Sequence, residues 1–268
     1  MNKRLGQHFL KNKSAIKKII DALEIKSGET IIEIGPGSGA LTFPILEKCR
    51  TSNLECKIIA IEKDPHLVNQ LTSKLVNWEG GVEIIHGDVL AILPGLINQL
   101  TTQLTNYKIV GNIPYYITGK LLRTISELGS KPSLTVLMIQ KEVAERVVAQ
   151  PPKMNLLAAA TQFWARPKIL FSLKPNNFDP PPKVDSTVIE LKTKSEKRKA
   201  NESENYYKLI RIIFKQPRKT LLNNLKSGLS LSKEEIEAAL LKENLAPNAR
   251  PQDLTLENIK NLTRVFHI

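Results

Sequence analysis

The sequence predicts an α/β fold, a Rossmann-like and mostly parallel seven-stranded sheet with an antiparallel edge hairpin, followed by a small all-α C-terminal domain. Three observations predict it. Short β-branched runs alternate with helix-like stretches over the first two-thirds of the chain, which is the signature of βαβ units and a sheet covered on both faces. The first run ends in a glycine-rich turn. Beyond residue 205 the apolar pattern is helical throughout.

Each element follows from local pattern. Ser14 to Leu23 reads as an amphipathic helix, with Ile16, Ile19, Ile20 and Leu23 on one face. Thr30 to Ile34 is the first strand, and a helix follows from about Ala40 to Lys48. Lys57 to Ile61 is the second strand, and Pro65 opens the next helix because its fixed φ suits a first helical turn. Val82 to Ile85, Tyr107 to Val110 and Leu134 to Ile139 are the next three strands. Lys168 to Leu173 and Ser186 to Leu191 have no room for a crossover helix between them, so they are expected to pair antiparallel at one edge. The loop joining them holds Pro180, Pro181 and Pro182, which exclude a central strand and imply a stiff exposed loop. The expected domains are 1–192 for the sheet, 193–204 for a charged linker and 205–268 for the helices.

Composition restricts function. Hydrophobic residues make up 41% of the chain, as in a folded globular protein. No apolar run approaches the roughly 18 residues that span a bilayer, and the N-terminus lacks a signal-peptide core, so a cytoplasmic location with no membrane partner is expected. Cys49 and Cys56 lack metal-site spacing and read as incidental thiols; the histidines are scattered, so no metal is expected. The formal net charge is +13. Residues 1–20 carry six basic groups and no acid, and residues 183–220 carry 11 basic and 5 acidic groups. Such a field attracts polyanions, although charge alone does not separate nucleic acid from an anionic membrane.

A cofactor site is read from three positions in order. Gly35 and Gly37, within Glu33-Ile34-Gly35-Pro36-Gly37-Ser38-Gly39-Ala40, allow a tight turn and a close ligand approach at the sheet edge. The same turn satisfies a dinucleotide fingerprint, so a nicotinamide enzyme has to be weighed. Glu62 ends the second strand, where a carboxylate can accept both hydroxyls of a ribose. Asp88 follows the third strand, where an acid can accept an adenine amine or cap the next helix. The acid after the third strand favours S-adenosylmethionine over NAD.

Asn112-Ile113-Pro114-Tyr115 after the fourth strand carries the chemistry. The N6 amine of adenine is a poor nucleophile because its lone pair is delocalised. Two acceptors on its hydrogens, the Asn112 side-chain oxygen and the Ile113 carbonyl, would aim that lone pair at an electrophilic methyl. Pro114 stiffens the turn, and Tyr115 can stack on an extruded base. Catalysis of this kind is orientation plus fixed dipoles. Phe178, on the proline loop, can stack on the other face of the base or anchor the loop in the core.

These residues resemble the bacterial small-subunit ribosomal RNA adenine N6,N6-dimethyltransferases. The matching segments include Leu5 to Leu10, Glu33 to Gly39, Gly87-Asp88, Asn112 to Tyr115, Gln140 to Arg146, Phe178 to Ser186 and Phe214 to Leu221, in order along nearly the whole chain. The resemblance implies a class I methyltransferase fold, S-adenosylmethionine as methyl donor, and cofactor contacts from His8, Leu10, Gly35, Glu62, Asp88 and Asn112. It further implies a monomer that dimethylates two adjacent adenosines near the 3′ end of 16S rRNA in the immature small ribosomal subunit. Many members carry Asn at the position of His8, and Pro217 interrupts a commoner basic run beside Arg218 and Lys219. A 23S rRNA adenine N6-methyltransferase of the macrolide-resistance type shares the Asn-Ile-Pro-Tyr signature and is the alternative. A nicotinamide oxidoreductase would need a hydride-handling site that the sequence does not offer. A non-catalytic RNA-binding assembly factor would leave the Asn112 to Tyr115 set without a purpose.

Overall fold

The apolar runs fold as strands where periodicity places them, and their connections decide where a site can form. The structure is a computed structural model that describes residues 7–76, 78, 81–100, 106–195, 200–246 and 248–266. Its strands are β1 (Phe9–Leu10), β2 (Glu29–Ile34), β3 (Cys56–Glu62), β4 (Val82–His86), β5 (Tyr107–Asn112), β6 (Leu134–Gln140), β7 (Ala165–Leu173), β8 (Phe178–Asp179) and β9 (Ser186–Thr193). Seven of them form one sheet in the order β4-β3-β2-β5-β6-β9-β7. The first five are parallel to their neighbours, and β9 runs antiparallel to β6. The central strands are apolar on both faces: Ile31, Ile32, Ile58, Ile59, Ile109 and Val110 are all fully buried. That is what a sheet sandwiched between helix layers requires.

The order reverses at β2, since the chain passes from β2 to β3 on one side and later to β5 on the other. The crevice beyond the carboxyl ends of β2 and β5 is therefore the topological switch point, where ligands bind in open α/β sheets. The edge arrangement has one feature the spacing did not indicate. The later strand of the expected hairpin, β9, is the inner one, and β7 takes the sheet edge.

Helices cover the sheet and cap it with local side chains. These are α1 (Lys13–Ala22), α2 (Thr42–Thr51), α3 (Pro65–Leu75), α4 (Val89–Leu100), α5 (Thr118–Glu127) and α6 (Lys141–Val147). Asn12 accepts from the amide of Ala15 at the start of α1, and Asp64 accepts from His66 while Pro65 supplies the first residue of α3. A second, two-stranded sheet pairs β1 with β8 antiparallel, setting Leu10 opposite Phe178. Periodicity is silent about a pairing of two residues with two. The proline loop is consequently not wholly exposed: Phe178 is 1% exposed and belongs to the same core as Leu10, Ile19 and Ile31.

Two further differences are findings. Cys49 and Cys56, expected as incidental thiols, are joined as a disulfide between the end of α2 and the start of β3. The chain also divides into two compact units whose limits are not collinear with the sequence. The sheet unit runs to Ala144 and resumes over Arg166–Thr193; the helical unit comprises Glu145–Ala165 and Lys194–Ile268. Its helices are α7 (Leu156–Trp164), α8 (Ala200–Ile213), α9 (Leu221–Gly228), α10 (Lys233–Lys242) and α11 (Leu256–Phe266). The helical core is built on Tyr206, Leu209, Ile210, Ile213, Leu225, Leu240 and Ile259, and Phe163 of α7 stacks on Tyr206 at 3.8 Å between ring centroids. That burial assigns α7 to the helical unit. Within the stretch expected as a linker, Thr193 still belongs to β9 and α8 begins at Ala200, while residues 196–199 lie outside the described residues.

Candidate active site

A cavity opens at the switch point, and the sequence-predicted residues at three strand ends meet in it. It is lined by Gln7, His8, Phe9, Gly35, Gly37, Glu62, Lys63, Leu67, and the run Asn112 to Tyr116. Gly35 and Gly37 follow β2 with φ of 64° and 58°, a region L side chains rarely adopt. At Gly37 a Cβ would also come within 2.9 Å of the Phe9 ring. The turn is therefore closed to larger residues by conformation and by space, and bare backbone faces the cavity.

Glu62 is buried, and its carboxylate organises the turn. Oε2 accepts from the Gly37 amide at 3.1 Å, and Oε1 accepts from the amides of Lys63 at 2.8 Å and Asp64 at 2.9 Å. With about four lone-pair positions on a carboxylate, Oε2 keeps acceptor capacity toward the cavity. Asp64 in turn takes a hydrogen bond from Gln7 Nε2 at 3.3 Å, which ties the N-terminal segment to the rim.

Asn112 ends β5. Its Nδ2 donates to the His8 carbonyl at 2.7 Å. A carbonyl only accepts, so this bond fixes the amide orientation and leaves Oδ1 as the acceptor. His8 Nδ1 lies 2.8 Å from the Pro180 carbonyl, so it carries the proton and donates. The imidazole also faces the Tyr115 ring at 5.9 Å with 30° between planes. Tyr115 begins a short 3-10 turn, Tyr115–Ile117, directly after Pro114. Its hydroxyl is 2.7 Å from Ser186 Oγ at the start of β9. Partial burial raises the phenol pKa, and the Ser186 bond opposes that shift.

Three predicted residues stand elsewhere. Asp88 is outside the cavity lining: one oxygen caps α4 by accepting from Leu90 at 3.0 Å, and the other is held by Lys63 Nζ at 2.8 Å. The Lys63 hydrogen bond lowers the Asp88 pKa and raises that of Lys63. Leu10 and Phe178 do not line the cavity but are buried in the core, opposite one another in the β1–β8 pairing. Sequence reasoning did not single out Lys63, Leu67 or Tyr116, nor Ser186 as the partner of Tyr115. The signal for Lys63 was its place next to Glu62; nothing local pointed to Ser186, which lies 71 residues from Tyr115. Among the described residues no group of three or more His, Cys, Asp or Glu is placed to hold a metal ion, and no helix is long and apolar enough to cross a membrane.

The residues fit S-adenosylmethionine on their own chemistry: a glycine backbone cradle, a carboxylate with spare acceptor capacity at the end of β3, and an amide acceptor at the end of β5. Fold and site together define a Rossmann-like S-adenosylmethionine-dependent methyltransferase. The model of the family described as ribosomal RNA adenine dimethylase matches residues 1–267, and the chain belongs to that family. It is 37% identical over 265 residues to the ribosomal RNA small subunit methyltransferase A of Dehalococcoides mccartyi strain 195, covering 98% of this chain and 88% of that one. It is 38% identical over 266 residues to the protein of the same name from Clostridium botulinum strain Okra, covering 98% and 92%. Among solved structures, a dimethyladenosine transferase from Plasmodium falciparum superposes with a TM-score of 0.76 at 24% identity, covering 95% of this chain and 96% of that one. The 23S rRNA methyltransferase ErmE superposes at 0.74 with 22% identity, covering 97% and 100%. The enzyme is thus an S-adenosylmethionine-dependent rRNA adenine dimethyltransferase, and its substrate is RNA.

Proposed function

We propose that the protein transfers methyl groups to the N6 amines of two adjacent adenosines near the 3′ end of 16S rRNA, giving N6,N6-dimethyladenosines. It acts as a cytoplasmic monomer on the immature small ribosomal subunit. The observation that carries this reading is the polarity of Asn112: with Nδ2 engaged by the His8 carbonyl, Oδ1 is the group left to accept from an amine.

When bound, S-adenosylmethionine supplies an electrophilic methyl group. Gly35, Gly37, Glu62 and His8 hold it, with Asp88 and Asn112 contributing at either end and Leu10 anchoring β1 in the core. For the first transfer Asn112 Oδ1 and the Ile113 carbonyl would accept hydrogen bonds from the two N6 hydrogens and turn the nitrogen lone pair out of conjugation; one N6 proton is then lost to solvent, and the single N–H that remains is held by the same pair for the second transfer. Pro114 keeps that turn stiff, and Tyr115 stacks on the adenine with its ring braced by Ser186. Phe178 contributes through the loop it anchors in the core. Asp88 takes up an adenine amine after Lys63 moves or shares its hydrogen bond.

The test is incubation of unmethylated small subunits with labelled S-adenosylmethionine, followed by mapping of modified bases. Two neighbouring dimethyladenosines near the 3′ end of 16S rRNA are expected. Large subunits are incubated in parallel: label confined to their 23S rRNA would support the macrolide-resistance type instead, and label on neither would overturn the reading.

A further inference from the structure

We infer that Tyr116, with Lys63 and Lys120, forms a second stacking platform that holds the nucleotide next to the target adenosine. The inference rests on the RNA substrate proposed above and specifies how that substrate is gripped at the mouth of the site.

Tyr116 follows the Asn112 to Tyr115 segment and lines the same cavity, yet it plays a different structural part. Tyr115 is braced by Ser186, whereas Tyr116 is 58% exposed. It is the one aromatic residue among the exposed large hydrophobic side chains of the described residues; the others are aliphatic. An aromatic ring left in water forgoes the burial that would stabilise it in the core. Its backbone is fixed, because the 3-10 turn Tyr115–Ile117 lies between Pro114 and α5, and the Ile117 amide donates to the Pro114 carbonyl at 3.1 Å. A ring on a rigid turn at a cavity mouth loses little conformational freedom on gaining a stacked partner.

Two lysines lie on the neighbouring elements: Lys63 directly after β3 and Lys120 on α5. Lys63 lines the same cavity as Tyr116; its side chain is half exposed and its ammonium is held by Asp88 at 2.8 Å. Lys120 is exposed on the first turn of α5, four residues after Tyr116. An exposed ring with lysines on the neighbouring rim can grip single-stranded nucleic acid, with the ring taking a base face and the cations taking flanking phosphates. Because Tyr115 and Tyr116 are consecutive in one rigid turn, a base stacked on Tyr115 has its sequence neighbour within reach of Tyr116. With two adjacent adenosines, one of the two registers presents the other adenosine there.

The test compares Tyr116→Ala, Tyr116→Phe and Lys120→Ala with the wild-type enzyme on unmethylated small subunits. Calorimetry with S-adenosylmethionine serves as the control for an intact cofactor site. Tyr116→Ala should weaken particle binding and raise KM about tenfold or more, on the scale of a lost base stack. Tyr116→Phe should keep normal particle binding because the ring face is retained. Lys120→Ala should lower the salt slope of particle binding by about 1. Unchanged particle affinity in Tyr116→Ala, or Tyr116→Phe as weak as Tyr116→Ala, overturns the inference. Absence of adenine methylation by the wild-type enzyme would instead overturn the proposed function, so the two failures are distinguishable.

Discussion

Asn112 holds two jobs on two atoms, and the chemistry depends on their not exchanging. Nδ2 secures the His8 carbonyl and so the N-terminal segment at the cavity, which leaves Oδ1 as an acceptor. Asn112→Ala should therefore lower turnover by about 10²-fold or more, the usual loss for one oriented dipole, while the fold and RNA affinity persist. Full activity in that variant would show that another group orients the amine. Tyr115 and Ser186 make a second test. Loss of their hydrogen bond in Tyr115→Phe or Ser186→Ala should cost about 0.5–1.5 kcal/mol of transition-state stabilisation, and the double variant should cost little more than either single one. Tyr115→Ala should lose roughly 1–3 kcal/mol from the missing stack. Additive effects of Tyr115→Phe and Ser186→Ala would mean that the bond does not brace the ring. The meeting of Gly35, Glu62 and Asn112 in one cavity was legible in the sequence because each stands at or directly after a strand end. It did not show Ser186 beside Tyr115 or Pro180 beside His8, because partners 71 and 172 residues apart leave no local pattern.

Strands and helix starts were legible for a related reason: periodicity, caps and prolines act within a few residues. The β1–β8 pairing and the placement of β9 inside β7 were not, since both depend on where distant segments dock. The junction of β2 with α2 shows what docking does to a side chain. Glu33, near the end of β2, is buried and accepts from Thr42 Oγ1 of α2 at 2.7 Å. Burial, aided by the nearby Glu62 charge and opposed by the Thr42 bond, pushes its pKa from 4.5 up to about 7. The folded protein therefore holds a proton that the unfolded chain has lost between those values. Glu33 contributes its stability below pH 4.5, and that contribution is lost as pH rises through about 7. Urea unfolding at pH 5 and pH 8 should show a fall of up to about 3 kcal/mol in the wild type from this group. Glu33→Gln should flatten the fall, and an equal pH dependence in both proteins would remove Glu33 as its source.

At the scale of the molecule, chemistry and much of the basic charge reside in different units. Asn112, Tyr115 and Glu62 belong to the sheet unit, whereas Arg218 and Lys219 lie in the helical unit. Those two residues sit in an exposed turn between α8 and α9 that buried Asn224 holds together: its Oδ1 accepts from the Gln216 amide and its Nδ2 donates to the Gln216 carbonyl, both at 3.0 Å. Pro217, which interrupts the basic run, is accommodated in this turn because the bonds to Asn224 use the backbone of Gln216. Phosphate contacts from Arg218 and Lys219 would then act on association alone. Replacing each by alanine should weaken binding to small subunits about equally for any RNA sequence and reduce the slope of log affinity against log salt by about 1. Turnover at saturating particle should hold. Asn112→Ala should do the reverse, lowering turnover with binding intact, so Asn112→Ala combined with Arg218→Ala should show both losses in full. Sites without shared partners add in free energy, and these share none within their units. If Arg218→Ala lowers saturating turnover as well, or if the double variant is no worse than Asn112→Ala in binding, the basic turn takes part in presenting the adenosine and the separation of binding from chemistry fails.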